Sequence, residues 1–417
     1  DLWLTIAGGQ LASAVSELDL ETVSLIGQEL SPLTLQNVSG AINVDRNFIE
    51  DSWEIALSDM AVNWEDHYWR PFNIFADYAP EQSLSVKADN IDLALISQLA
   101  GASGLLDESD SQQLAQYSPG GALENFSLYV PFENAIDQTL LLRTNIASVE
   151  FGSVRGSPNM WGMNGYVELD FDQAANLVTG FGEMDSEEFS INLPNVFTEV
   201  WDYSYVNGRL DFSVDFSNGQ EVKLVSGLLI AESSAVDGHA QFSSTVHRFP
   251  NGEREAFLEL LVGAERVNAE QKALYLPNGP NIEDNLRQSM QWVDNAVLGG
   301  EVYDSGVLFR GSTLAGSSTE SKTFQSYYLL KDGEVNFSDE WPNINEMSGY
   351  IYTDDNDIDI EVNSGASLNL ELGIVIGEVR RNEADENWLS INGQAVGPTA
   401  SGLNYLQQAI KFVLDCI

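Results

Sequence analysis

The residues best placed for acid–base or metal chemistry near neutral pH are three histidines, His67, His239 and His247. His239 and His247 stand eight positions apart on one β segment and its neighbour, close enough to approach. No HExxH pattern and no cysteine pair supplies the further convergent ligands that a metal site needs. Cys416 is the only cysteine, so neither an intrachain disulfide nor a thiolate cluster can form. The run Asp354-Asp355-Asn356-Asp357-Ile358-Asp359 has the composition of a calcium loop. An EF-hand requires glycine at its sixth position and a bidentate Glu at its twelfth. Counted from Asp354, those positions hold Asp359 and Ala366, so the run reads as an acidic turn feeding a strand. With 64 Asp and Glu residues, carboxylate pairs at glycosidase spacing arise by chance, and no single pair is informative. There is no GxSxG elbow, no phosphate-binding P-loop and no GxGxxG after a strand. The expectation is a protein that is not an enzyme and that takes no metal and no cofactor.

The elements behind these residues carry more information. Eighteen basic residues against the 64 acidic ones leave a formal net charge of −46, which repels phosphate backbones and excludes nucleic acid as a partner. Hydrophobic residues make up 43% of the 417, ample for a core, so the acidity does not signal disorder. No apolar run reaches the 18 or so residues that span a bilayer. The chain opens Asp1-Leu2-Trp3 inside an apparent strand, with neither Met nor leader. That start predicts a piece of a longer protein.

The dominant period is two. Leu210, Phe212, Val214 and Phe216 alternate with Arg209, Asp211, Ser213 and Asp215; Val167, Leu169 and Phe171 alternate with Glu168, Asp170 and Asp172. Ile358, Ile360 and Val362 alternate with Asp357, Asp359 and Glu361, and Leu368, Leu370, Leu372, Ile374 and Ile376 read as one nine-residue strand. Successive strand side chains point to opposite faces, so each segment has an apolar and a charged side, as in antiparallel sheets wetted on one face. Asn207-Gly208, Asn218-Gly219, Asn251-Gly252, Asp332-Gly333 and Asn392-Gly393 are turn signals between such runs. Helical spacing is confined to 90–100, 105–117, 281–298 and 403–417. In the third, Ile282, Leu286, Met290, Val293 and Val297 form one stripe, with Asn281 as N-cap and Gly299-Gly300 as the stop. The reading is a mainly β chain forming one continuous region over 1–417, with soft sub-boundaries near 120 and 275. A one-sided apolar sheet must be covered by another sheet, by helices or by a ligand. Alternation alone fits both a closed sandwich and an open trough.

Several motifs in fixed order resemble the YhdP family of AsmA-like proteins, more distantly related to TamB. They are Tyr275-Leu276-Pro277, Trp292-Val293-Asp294-Asn295-Ala296, Gly299-Gly300-Glu301-Val302 and Phe309-Arg310-Gly311. Further on come Glu340-Trp341-Pro342 with Gly349-Tyr350, and Gly393 to Gly397 leading into Leu403-Asn404-Tyr405-Leu406; upstream lie Ser118-Pro119-Gly120-Gly121 and Ser157 to Gly165. The family usually continues past the position of Leu406 with a break into further strands, whereas 407–417 reads as a helical tail. The resemblance implies an elongated, curved antiparallel sheet forming a U-shaped apolar groove. It implies a periplasmic, bridge-like carrier, anchored in the inner membrane of Gram-negative bacteria, that moves phospholipids to the outer membrane. Its partners would be phospholipid acyl chains and the membranes at the ends of the full-length protein. The groove would be lined by Val167, Leu169, Phe171, Leu210, Phe212, Val214, Phe216, Ile358, Ile360, Leu368, Leu370, Leu372 and Ile374. The other readings are a closed β-sandwich binding or structural module of the cell envelope and an all-β enzyme acting on polysaccharide.

Overall fold

The computed structural model describes all residues except 26–32, 65–66, 104–105, 155, 281, 283, 315, 319–320, 337–341, 356, 382–386 and 416–417. It is mainly β, as expected. Two compact units are present. The first comprises Asp1–Ile191, Asn207–Lys223 and Arg248–Gly252, and the second Asn192–Val206, Leu224–His247 and Glu253–Ile417. The expected sub-boundary near 120 falls inside the first unit and that near 275 inside the second.

The chain runs β1 (Leu2–Ala7), β2 (Gln10–Leu25), β3 (Leu33–Asn47), β4 (Ser52–Trp64), β5 (His67–Ala79), β6 (Ser83–Asp92), α1 (Leu93–Ser103), α2 (Glu108–Tyr117), β7 (Gly120–Pro131), β8 (Thr139–Phe151), β9 (Asn159–Asp172) and β10 (Leu177–Asn192). In the first unit each strand from β1 to β9 pairs antiparallel with the next in sequence. There follow β11 (Trp201–Asp215), β12 (Gln220–Ser226), β13 (Leu229–Glu232), β14 (Val236–Arg248), β15 (Arg254–Asn268), a 3-10 turn (Ala269–Tyr275) and α3 (Asp284–Ala296). The chain closes with β16 (Val297–Ser312), β17 (Thr323–Val335), β18 (Ile344–Asp354), β19 (Asp357–Ser367), β20 (Leu370–Arg381), β21 (Asn387–Val396) and α4 (Thr399–Asp415). In the second unit β15 to β21 again pair consecutively and antiparallel.

The strands are not regular. A one-residue shift interrupts β4–β5 between Leu57 and Met60, β7–β8 between Glu124 and Ser127, and β8–β9 between Ile146 and Val149. The second unit repeats the device between Tyr303 and Gly306, Leu330 and Gly333, and Asn345 and Ser348. At each shift a polar residue takes a left-handed conformation: Asp59 (φ 51), Asn125 (φ 51), Ser148 (φ 49), Asp304 (φ 42), Asp332 (φ 52) and Glu346 (φ 50). A bulge bends its strand and leaves one backbone group without a ladder partner. The following strand supplies it here. Asn73 Oδ1 accepts the Asp59 N–H at 3.0 Å and Asn164 Oδ1 the Ser148 N–H at 2.9 Å. One strand further on, Asp89 Oδ1 accepts the Asn73 N–H at 2.8 Å and Ser186 Oγ the Asn164 N–H at 2.8 Å.

A bulge also resets the alternation, because residues three apart across it share a face. The two cores form there. Val38, Met60, Val62, Trp69, Phe72 and Leu95 of α1 are buried together in the first unit, with Leu57 and Ile74 against them. In the second, Leu330, Val335, Ile344, Met347 and Val362 are buried together, with Ile360, Leu372 and Val375 against them.

Several sequence expectations change. Leu368 lies in the turn before β20 with φ 49 and is 38% exposed, so the strand begins at Leu370. The β20–β21 ladder shifts between Leu372 and Val375. Leu370 and Leu372 therefore face inward with Val375, while Ile374, 61% exposed, and Ile376 are turned to the opposite side. Phe216 is one residue beyond β11 and is exposed. The third helix is described over Asp284–Ala296 and ends before the expected 298, because Val297 and Gly299-Gly300 belong to β16. Asn281 and the side chains of Leu286 and Trp292 lie outside the described residues.

Met347→Ala should lower stability by about 2–5 kcal/mol in denaturant unfolding, because it opens a cavity in the second core. Ile374→Ala should change it by no more than about 0.5 kcal/mol, whereas a strand without the bulge would make both substitutions costly.

Candidate apolar binding face

Residues directly opposite in an antiparallel pair point to the same face. In the first unit this rule traces one unbroken file across nine strands: Leu4, Ala14, Val44, Ile55, Ala76, Val86, Leu128, Leu142 and Leu169. Every member is apolar. At about 4.8 Å per strand the file runs about 40 Å. A second file beside it contains Ile42, Leu57, Ile74, Ala88 and Phe126. The neighbouring file on the other face reads Thr5, Ser13, Asp45, Glu54, Asp77, Ser85, Tyr129, Leu141 and Asp170. Sequence alternation within each strand thus adds up, through register, to one apolar and one polar face.

The second unit repeats the arrangement. Val267, Val302, Leu330, Gly349, Val362, Val375 and Gly393 form one apolar file across seven strands. Tyr328, Ile351, Ile360, Gly377 and Ile391 form the next, and Ile358 pairs with Val379 in the file beyond. A β-carbon at Gly393 would lie 2.7 Å from Val375 Cγ2, so glycine there lets β21 close on β20.

Of the proposed lining residues, Val167, Leu169, Phe171, Ile358, Ile360 and Leu372 are half-buried and share the apolar faces of their units. Leu210, Phe212 and Val214 are half-buried on β11. Phe212 packs over β10, where a β-carbon at Gly180 would come within 2.6 Å of its Cζ and 3.1 Å of Leu169 Cα. Leu370 is buried at 6%. Leu368, Ile374 and Phe216 are set apart from these, as described above.

None of the nine residues in the first unit's central file is fully buried, and Leu4 is 57% exposed. The first unit's central file is thus at most half covered, whereas Leu330, Gly349 and Val362 in the second unit's file are buried.

The polar face is held by ionic and aromatic contacts. Arg143 Nε lies 3.0 Å from Glu168 Oε2, which also accepts the Tyr166 hydroxyl at 3.0 Å. Tyr166 meets Phe181 at 5.9 Å, the Arg209 guanidinium stands 3.7 Å over Phe181, and Arg209 pairs with Asp211 at 2.8 Å and Glu183 at 2.9 Å. Asp211 thus points away from Phe212, as alternation requires. The hydrogen bond from Arg143 outweighs desolvation and holds Glu168 below the usual carboxylate range.

His239 and His247 stand eight residues apart on the single strand β14, so they do not approach each other. His239 sits on β14 opposite Ile230, and the side chain of His67 lies outside the described residues. The acidic run forms the β18–β19 hairpin, where Asp355 (φ 51) accepts the Phe324 N–H at 2.8 Å. Among the described residues no group of three or more His, Cys, Asp and Glu is placed to hold a metal ion.

Long antiparallel ladders, apolar on one face and acidic on the other, define a mainly β protein of the large-sheet class. Within that class the chain belongs to the YhdP family: the family described as YhdP protein matches residues 1–410. Comparison with curated proteins and with solved structures gives no match.

Because its folded-state pKa is depressed, Glu168 contributes stability that is present above its unfolded value and lost as pH falls through the folded one. Arg143→Gln should raise the Glu168 pKa toward the ordinary carboxylate range in an NMR titration and reduce the loss of stability on acidification. An unchanged titration would show that Arg143 does not hold that carboxylate.

Proposed function

We infer that the chain is part of a bridge-like lipid carrier, in which phospholipid acyl chains lie against the apolar faces while headgroups stay near an open side. The observation that carries this reading is the nine-strand apolar file, half-buried to exposed along its whole length. Burial contributes about 25 cal/mol per Å² of apolar surface, or about 0.8 kcal/mol per methylene. An acyl chain of about 16 carbons would therefore gain roughly 12 kcal/mol if fully covered. That is enough to keep lipid out of water and, on a smooth face without deep pockets, to let it slide between equivalent positions.

Family membership supports placing this activity in the periplasm of Gram-negative bacteria, with transfer between inner and outer membranes. No described helix is long and apolar enough to cross a membrane, so in this reading anchoring is the work of segments other than these. The role requires no catalysis, no cofactor and no metal, and the acidic face discourages contact with nucleic acid.

A photo-crosslinker at Leu142 or Phe212 should label phospholipid in cells, and the same group at Asp211 should not. Leu142→Asp should obstruct transfer, because an unpaired carboxylate on an apolar surface costs several kcal/mol once a lipid covers it. Equal labelling from both faces would end the carrier reading in favour of a closed structural module.

A further inference from the structure

The polar face of the second unit carries a feature that lipid carriage does not use. Tyr327, Tyr350, Tyr352, Asp359, Glu378 and Arg380 line a cleft of about 580 Å³ there. Register explains how they meet. Tyr327 lies opposite Tyr352, Tyr352 opposite Asp359, and Asp359 opposite Glu378, one file across β17, β18, β19 and β20. Tyr350 lies beside it, opposite Glu361, which is opposite Ile376. The file measures about 14 Å from first strand to fourth. Its two ends differ in chemistry. On β17 and β18 are aromatic rings, with the Tyr327 and Tyr350 centroids 5.9 Å apart and inclined at 36°. On β19 and β20 are carboxylates fixed in position. Arg380 pairs with Asp359, lies 3.8 Å from Glu378 and donates to the Ile358 carbonyl at 3.0 Å, while the Tyr350 hydroxyl donates to Glu361 at 3.1 Å.

We propose that this cleft binds an uncharged polysaccharide. A pyranose ring has an apolar C–H face and a rim of hydroxyls. The negative face of an aromatic ring takes the first, and carboxylates with lone pairs to spare accept from the second. Tyr327, 38% exposed, and Tyr352, half-buried, line the cleft and are not members of the second core. The carboxylates are held by Arg380 and Tyr350 before any ligand arrives, which reduces the ordering cost of binding. Three acids, Asp359, Glu361 and Glu378, surround one cation, so the cleft repels anionic polymers and phosphate headgroups. The ligand is thereby separated from the lipid cargo by chemistry as well as by face, and this site stands or falls independently of lipid carriage.

The test is calorimetric and fluorescence titration of the whole chain with a β-1,4-linked N-acetylglucosamine tetrasaccharide. Its fully deacetylated, cationic counterpart and polygalacturonate serve as charged comparisons. The uncharged sugar should bind saturably, and Tyr327→Ala and Tyr352→Ala should each weaken it about tenfold, the worth of one good aromatic contact. Tyr352→Phe, which keeps the ring, should retain binding, and so should Tyr68→Ala in the first unit. Circular dichroism of each variant separates lost contact from lost fold. Absence of saturation with the uncharged sugar, or binding indifferent to the loss of both rings, overturns the proposal. Binding of the cationic sugar alone would identify the cleft as a charge cluster and overturn it equally.

Discussion

Everything in this fold depends on one constraint: a residue paired across an antiparallel ladder must share its partner's face. A single strand such as β9 has an apolar side only five or so residues long. Register turns nine such sides into a file about 40 Å in length, and it does so only while no strand slips by one residue. A slip of β8 against β9 would set Arg143 opposite Leu169 or Val167 and place charge in the apolar surface. The apolar face is thus a collective property, and the hairpin turns that fix register matter to it as much as its side chains do.

The bulges resolve a conflict that this constraint creates. Strands of 13 to 16 residues, such as β4 and β10, would twist but not bend if perfectly alternating, and all their apolar side chains would stay on one side. By bending each strand and flipping its parity, a bulge lets Leu57 and Met60, or Leu372 and Val375, face the same core from either side of the bend. The cost is a backbone N–H left out of the ladder, which would be expensive if unsatisfied. Asn73, Asp89, Asn164 and Ser186 meet that need from the next strand. In Asp89, burial alone would push the carboxyl pKa up. Hydrogen bonds from the Asn73 backbone and side chain, from Asn90 and from its own N–H overcome this and hold it below the usual range, so the acceptor stays ionised.

This division explains what was legible in the sequence. Mainly β structure, antiparallel pairing and the inward set Val167, Leu169, Phe171, Ile358 and Ile360 follow from period-two alternation, which is local. The acidic hairpin at Asp354–Asp359 was equally legible from turn composition. Leu368 and Ile374 were misplaced because a run of alternating Leu and Ile looks continuous. Nothing in Leu-Asn-Leu-Glu-Leu-Gly-Ile announces a turn at Leu368–Asn369 and a bulge after Leu372. The usable signal lay elsewhere, in polar residues such as Asp59, Asn125 and Asp332 inside otherwise regular strands, since Asn and Asp tolerate the left-handed conformation better than β-branched residues do. The tyrosine cleft was beyond reach, because its members come from four strands and meet only through register.

Charge completes the separation of the two faces. A net −46 cannot be spread evenly over a sheet with an apolar side, so it concentrates opposite that side, where Asp45, Glu54 and Asp77 stand on three successive strands. Like charges directly opposite destabilise a ladder, so the apolar face must supply more than their repulsion removes. Arg46 shows how a cation is tolerated on the apolar side. It falls opposite Trp53 at the end of β3, stacks 5.1 Å from the Phe48 and Trp53 ring centroids, and pairs with Asp51 at 2.8 Å in the hairpin. Its charge is neutralised at the margin, and Val44 and Ile55 continue the apolar file just inside it. In the proposed carrier role, a surface that excludes charge along its length but admits it at the edge would match a ligand with an apolar tail and a polar head.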